Sequence, residues 1–279
     1  MDLTTIIGVL GGMAFIINGI VGSGKLDNFV DIPSVVIVVG GTICAVIASF
    51  PFSMLKNVGA HMKKLISNKA YKVEPVINDL VEFAQIARKN GLLALEEKAN
   101  KLKDPFFKQG IMLVVDATEP DKAREMLEME LDAMVARHEE EIAIYDKAAS
   151  YAPAFGMIGT LIGLINMLMS MDLSQGSSSS LGQNMAVAMI TTFYGCMLAN
   201  LIFSPIAKKL RIRNEEEVLY KQIIIEGVID IQAGVNPKNI KEKMVSLLQQ
   251  KRQRVLLEGK GSKGKGKGNA KEMKAGSPS

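Results

Sequence analysis

The sequence holds no tryptophan, only two cysteines and only two histidines. Two cysteines cannot build a disulfide framework, and Cys44 and Cys196 both fall in long apolar runs, where they are expected to be small buried hydrophobes. His61 and His138 are far apart and lack the spacing of metal ligands, so no metal or other cofactor is expected. There is no P-loop, no Gly-x-Ser-x-Gly and no His-Glu-x-x-His. ATPase and hydrolase chemistry therefore have no support, and the chain is not read as an enzyme. Strand alternation and a fixed-period repeat are also missing.

A further absence is more informative. Asp, Glu, Lys, Arg and His are wholly missing from Leu3–Gly24, Ile32–Leu55, Ala148–Met171 and Asn184–Ala207. A helix needs roughly 20 apolar residues to cross a hydrocarbon core of about 30 Å. Each run meets that length, and hydrophobic residues make up 48% of the chain. Four such runs exclude an ordinary soluble domain. The first opens with MDLTT, without a positive segment or a small-x-small cleavage site, so it reads as a retained span rather than a leader.

Lysine and arginine set the expected orientation. Lys56, Lys63, Lys64, Lys69 and Lys72 follow the second run, and Lys208, Lys209, Arg211 and Arg213 follow the fourth. The loop Ser23–Asp31 has one lysine against two aspartates, and Asp172–Gln183 has no basic residue. Both termini and the large central loop are thus expected on the cytoplasmic side of an inner membrane. The expected fold is an all-α membrane protein with four transmembrane helices. Residues 1–55 hold spans one and two, 56–147 a cytoplasmic helical domain, and 148–207 spans three and four. Residues 208–258 form C-terminal helices, and 259–279 a disordered tail with six lysines and one glutamate. That tail reads as a solvated end, and nucleic acid is not an expected partner.

Three cytoplasmic helices are legible before the third span. Val76, Leu80, Phe83 and Ala87 share one face, with Pro75 in the first turn and Gly91 as a breaker. A second helix starts near Pro105. A third begins near Pro120 and places Met126, Leu127, Met134, Ile142 and Tyr145 on a helical period. It meets no strong breaker before Ala152, so it is expected to pass from water into lipid as one rod. One helix is expected from Arg213 to about Ala233, and another from about Pro237 to Leu257.

Spans three and four are unlike anchors. Ala152, Gly156, Gly159 with Thr160, and Gly163 recur every three or four residues, as do Ala188, Thr191 with Thr192, Gly195 and Ala199. Small faces let helices approach where lipid supplies no hydrophobic drive. They suit packing within one chain, or room for a partner helix or a path. Pro153 and Pro205 fall at similar depth near the cytoplasmic ends, and Thr160 and Thr192 near mid-membrane. Chains that move ions usually carry an ionisable group in the membrane. Either this chain moves none, or another chain supplies the carboxylate.

The segments PAFGMIGTLIGLINML (Pro153–Leu168), ITTFYGCMLANLIFSP (Ile190–Pro205) and FAQIARKNGLLALEEKA (Phe83–Ala99) resemble the MotA family of flagellar stator subunits, within the wider group of TolQ and ExbB. The resemblance covers about Met1–Leu257. It implies a ring, a pentamer, around a dimer of a MotB-type partner whose single span carries the ion-binding aspartate. Ion flow would then turn the ring against the rotor protein FliG. It also implies that Pro153, Gly156, Thr160, Thr192, Gly195 and Pro205 line the ion path or partner helix, and that Arg88 and Glu96 engage FliG. On one continuous helix those two charges, eight residues apart, would share a side. The transported ion is expected to be a proton, with sodium as the alternative. An ExbB- or TolQ-like energiser of outer-membrane processes is a second reading, disfavoured by the count of four spans. A lone solute transporter is a third, disfavoured by the missing intramembrane charge and the missing repeated halves.

Overall fold

The computed structural model describes residues 3–56, 58, 71–170, 178–248, 250 and 253. His61, most of the lysines after the second apolar run, and the lysine-rich tail lie outside the described residues. Every regular element among those described is helical.

Helix α1 is Leu3–Ser23. After a 3-10 turn at Leu26–Phe29, the second apolar run is one rod in three pieces: α2 (Ile32–Val35), a π turn (Val36–Gly40) and α3 (Gly41–Ser49). The Asp31 side chain starts it by accepting from the Ser34 amide at 2.9 Å. Phe52–Leu55 forms a short α4. The central helices are α5 (Val73–Asn90), a 3-10 turn (Leu92–Leu95), α6 (Glu96–Ala99) and α7 (Pro105–Val115). Helix α8 runs Pro120–Met169, and α9 runs Ser178–Met197. A π turn (Leu198–Phe203) leads into α10 (Ser204–Gln232), and α11 is Pro237–Ser246. Among the described residues, three helical segments are long and apolar enough to cross a membrane: Leu26–Ser49, Pro120–Met169 and Leu181–Gln232. Helix α1 is a further apolar helix.

The chain divides into two units. One comprises residues 1–70 and 133–216, the other 71–132 and 217–279. Helices α8 and α10 contribute residues to both.

The second unit has an ordinary water-soluble core. Val76, Leu80 and Phe83 of α5 are buried as their spacing predicts, and Ala87 is half-buried. Phe83 meets Phe107 edge to face, with ring centroids 5.5 Å apart. Leu127 of α8, Ile223, Ile224 and Val228 of α10, and Ile240 and Met244 of α11 complete the interior. Gly227 is required by packing: a Cβ there would fall 2.4 Å from a Leu80 methyl. The helix starts are set by caps. Asp104 accepts from the Phe106 amide at 2.9 Å, with Pro105 beside it, and its other oxygen accepts from Tyr220 Oη at 2.6 Å. Asn236 and Pro237 repeat the arrangement for α11.

Several expectations change. Met126 lies on the outside of α8, 47% exposed, while Leu127, Met134, Ile142 and Tyr145 are buried. The helix expected after Arg213 instead begins at Ser204, because no breaker separates the fourth apolar run from the charged residues that follow. Cys44 and Cys196 are free and exposed rather than buried. Their faces point away from the chain's own helix contacts.

Candidate functional site: an uncharged helix pair with an open polar stripe

Helices α8 and α9 meet through glycine. A Cβ on Gly156 would lie 3.0 Å from the Thr191 carbonyl oxygen, and one on Gly163 would lie 2.7 Å from the Asn184 carbonyl oxygen. On Gly159 it would strike the Thr191 side chain at 2.5 Å. From the other side, a Cβ on Gly195 would lie 2.6 Å from the Ala152 carbonyl oxygen and 3.1 Å from the Pro153 Cα. All four glycines are buried, with Ala152, Ala188, Thr191 and Ala199. The small faces on both helices thus close against each other within one chain, the first of the roles their spacing allows.

The threonines do something else. The Thr160 and Thr192 hydroxyl oxygens are 2.5 Å apart. Thr160 Oγ1 also lies 3.0 Å from the Gly156 carbonyl oxygen and 3.1 Å from that of Ala188. Thr191, one residue away, is fully buried and returns its hydroxyl to the Ala188 carbonyl at 3.0 Å. Thr192 is exposed, and so are Cys196 and Asn200, each four residues further on. On a helix that spacing makes one face. Asn200 Nδ2 donates to the Cys196 carbonyl at 3.0 Å. Met157, Leu161 and Leu164 of α8 are exposed as well. Sequence reasoning singled out Thr192 but missed Asn200. Small polar residues at i, i+4 and i+8 in an apolar run were the available signal.

This surface offers hydroxyl, amide and carbonyl oxygens and no Asp, Glu, Lys, Arg or His. It can hydrogen-bond or partly solvate a passing cation, and it can brace a carboxyl group. It has no carboxylate or imidazole of its own with which to take up and release a proton. Among the described residues there is no cluster that would hold a metal ion.

The two prolines are placed differently. Pro153 sits within α8 against Gly195, about two turns before Thr160, and the helix continues through it. Pro205 lies just after the π turn and lines a cleft with Gly8 and Val9 of α1. The turn between α1 and α2 is tied to α9 by aromatic residues: Tyr194 Oη donates to the Phe29 carbonyl, and Phe29 meets Phe193 edge to face at 5.7 Å. At the opposite end of α3, Ser49 Oγ and Tyr151 Oη are 2.9 Å apart.

Arg88 and Glu96 occupy separate helices. Gly91, at φ +84°, ends α5, and a 3-10 turn intervenes before α6. The single-helix premise for their shared side therefore fails at Gly91. Both side chains are exposed. Neighbouring charges are engaged: Glu97 with Lys101 at 2.7 Å, and Lys98 with Glu82. In the same unit Arg124 Nη1 lies 2.5 Å from Glu226, and Lys243 Nζ lies 2.8 Å from Glu226 and 3.0 Å from Asp230. The Arg124 hydrogen bond holds the Glu226 carboxyl down at about 2, against the cost of its partial burial and with help from Lys243.

Residues 98–223 match the model of the MotA/TolQ/ExbB proton channel family. Chemotaxis protein PomA of Vibrio alginolyticus is 40% identical over 86% of this chain and 92% of its own length. Motility protein A of Cereibacter sphaeroides is 39% identical over 91% and 98%. The chain belongs to the MotA/TolQ/ExbB proton channel family. Its fold agrees: the flagellar MotAB stator complex from Bacillus subtilis contains a chain that superposes with a TM-score of 0.81, at 32% identity, over 90% of this chain and 97% of that one. Likeness to motility proteins over almost the whole length puts the chain among MotA-type stator subunits, which are membrane proteins and not enzymes.

Proposed function

We propose that the chain is the ring-forming subunit of a flagellar stator. It crosses the inner membrane four times with both termini in the cytoplasm. Five copies enclose a MotB-type dimer, and ion flow past that dimer's aspartate turns the ring against FliG. Pro153, Thr160 and Thr192 lie on the path, Gly156 and Gly195 hold α8 to α9 beside it, and Pro205 closes its cytoplasmic end. Arg88 and Glu96 meet the rotor.

The observation that carries this reading is the exposed polar stripe Thr192–Cys196–Asn200, in a membrane helix without any formal charge. A polar face in lipid is costly unless protein or water covers it. A partner helix bearing one carboxylate would cover it and supply the missing group. Four spans are supported by the 21 residues of α1, enough at helical rise for a core of about 30 Å. The orientation is supported by the lysines after the second and fourth runs. It is also supported by the first turns of α1 lying beside Lys208 and Lys209.

Cysteine crosslinking tests the partner helix. With Cys44→Ala in place, Cys196 is expected to form a disulfide with a cysteine placed beside the partner's intramembrane aspartate. Cys44, with Cys196→Ala, is expected to form none. No link from Cys196 would remove the helix from that face.

A further inference from the structure

We infer that the chain's own lysine-rich segment, Lys260–Lys267, docks along residues 121–132 of α8, with its ammonium groups on Asp121, Glu125 and Asp132. Two clefts on that face share Glu128 and Asp132 in their linings. One, of about 390 Å³, lies along Asp121, Glu125 and Met129. The other, of about 430 Å³, lies between Leu131 of α8, Ile225 of α10 and Leu247 at the end of α11. Together they make one groove with acidic edges and an apolar floor, built wholly from residues of the second unit.

The groove follows from the spacing of its residues. Asp121, Glu125, Glu128 and Asp132 recur at steps of four, three and four, which puts them on one side of α8. All four are exposed, and Met129 among them is 64% exposed. Part of the charge is already matched. Arg124 pairs with Glu128 at 3.4 Å and with Glu226, and Lys243 is taken up by Glu226 and Asp230. Asp121, Glu125 and Asp132 have no ion-pair partner among the described residues. Three carboxylates without a counter-charge, beside an exposed methionine, call for a cationic occupant with apolar stems.

The chain carries that occupant on its own end. Leu248 is buried, and Gln253 Nε2 donates to the Ser246 and Leu248 carbonyls at 3.1 and 2.6 Å. The chain therefore leaves the fold at the end of α11, next to Leu247 in the groove wall. Lys263 follows Gln253 by ten residues, which span up to about 35 Å when extended. Lys263, Lys265 and Lys267 alternate with glycine. Alternate side chains of an extended strand share one side at steps of about 6.6 Å. Four residues of helix rise about 6 Å, the step from Asp121 to Glu125. The glycines add no bulk between the lysines, and the lysine stems can cover Met129. Tethering supplies an effective concentration in the millimolar range, so a few exposed ion pairs suffice. A second copy presenting the same face would set like charges together, and an uncharged helix would leave the carboxylates unmatched.

The test uses the complete stator complex in nanodiscs of phosphatidylcholine, assembled from isotope-labelled and unlabelled copies of the chain. Carbodiimide joins a carboxylate to an amine in contact with it. Mass spectrometry is expected to find Lys260–Lys267 joined to Asp121, Glu125 or Asp132 of the same chain, with yields that fall at high salt. Trypsin cuts after free lysine, so docking should slow cleavage at Lys263, Lys265 and Lys267. Asp121→Asn with Glu125→Gln and Asp132→Asn should speed that cleavage about tenfold, and Glu125→Gln alone about twofold. Cleavage at equal rates in the parent and both variants would overturn the site. So would protection that arises only when phosphatidylglycerol replaces phosphatidylcholine, which would place the segment on the membrane. Crosslinks found only between labelled and unlabelled copies, or a high-yield disulfide between copies carrying Met129→Cys, would make the groove a subunit interface and overturn it as well.

Discussion

Gly195 lies so close to Ala152 that a Cβ would stand 2.6 Å from the Ala152 carbonyl oxygen, with the Pro153 Cα at 3.1 Å. Backbone faces backbone at this point, and neither side can give way as a flexible side chain would. Gly195→Ala is expected to cost about 1–3 kcal/mol through overpacking. Thermal unfolding of the solubilised complex reads it. Gly11→Ala is the control, because nothing lies within 4 Å of its Cβ and a helical glycine gains from the change. Equal melting temperatures for the two variants would contradict this account of the α8–α9 seam.

Pro153 is held by that same contact while lacking the N–H that would bond one turn back. Pro153→Leu restores the missing helix bond and stiffens α8 at the base of the threonine pair. Assembly should be unchanged and ion-driven rotation severalfold slower, as read by bead assays on tethered motors. Unchanged torque at all loads would remove the hinge role.

Arg88→Glu combined with Glu96→Lys is expected to reduce swimming severalfold while the complex still assembles in the membrane. The two residues are exposed on different helices, so the effect should come from an external partner rather than from lost stability. A melting temperature equal to that of the unmodified complex, measured together with swimming speed, separates the two. Normal swimming would contradict the rotor assignment.

Glu226 gives a pH test of the second unit. Its carboxyl is held at about 2, below the ordinary 4.5, so it favours the folded state most strongly when ionised. That contribution is fully present above pH 4.5 and is lost as pH falls toward 2. Glu226→Gln should cost about 2 kcal/mol at neutral pH, after allowance for the water that reaches this side chain. The gap between variant and parent should narrow as pH falls from about 4.5 toward 2. A gap independent of pH would show that the Arg124 and Lys243 contacts are not the cause.

Much of the fold is legible because the environments impose different periods and polarities. Charge-free runs marked the apolar helices, and Pro105, Pro120 and Pro237 marked helix starts, since proline fits where amides have no partner. Met126 was harder: a methionine on a helical period resembles core, yet it lies outside. The site was legible in composition and less so in geometry. Glycine spacing pointed to close approach but could not distinguish an intrachain seam from a partner's groove. Only coordinates separate buried Thr191 from exposed Thr192. The two π turns, which rotate the faces that follow them, have no clear signature in sequence.

The central claim is that this chain is charge-free in the membrane and conducts only with a partner's carboxylate. It is tested by voltage-driven ion flux in vesicles containing the chain alone, compared with vesicles containing the chain and its MotB-type partner. The account predicts flux from the complex and none above background from the chain alone. Robust current from the chain by itself would contradict it.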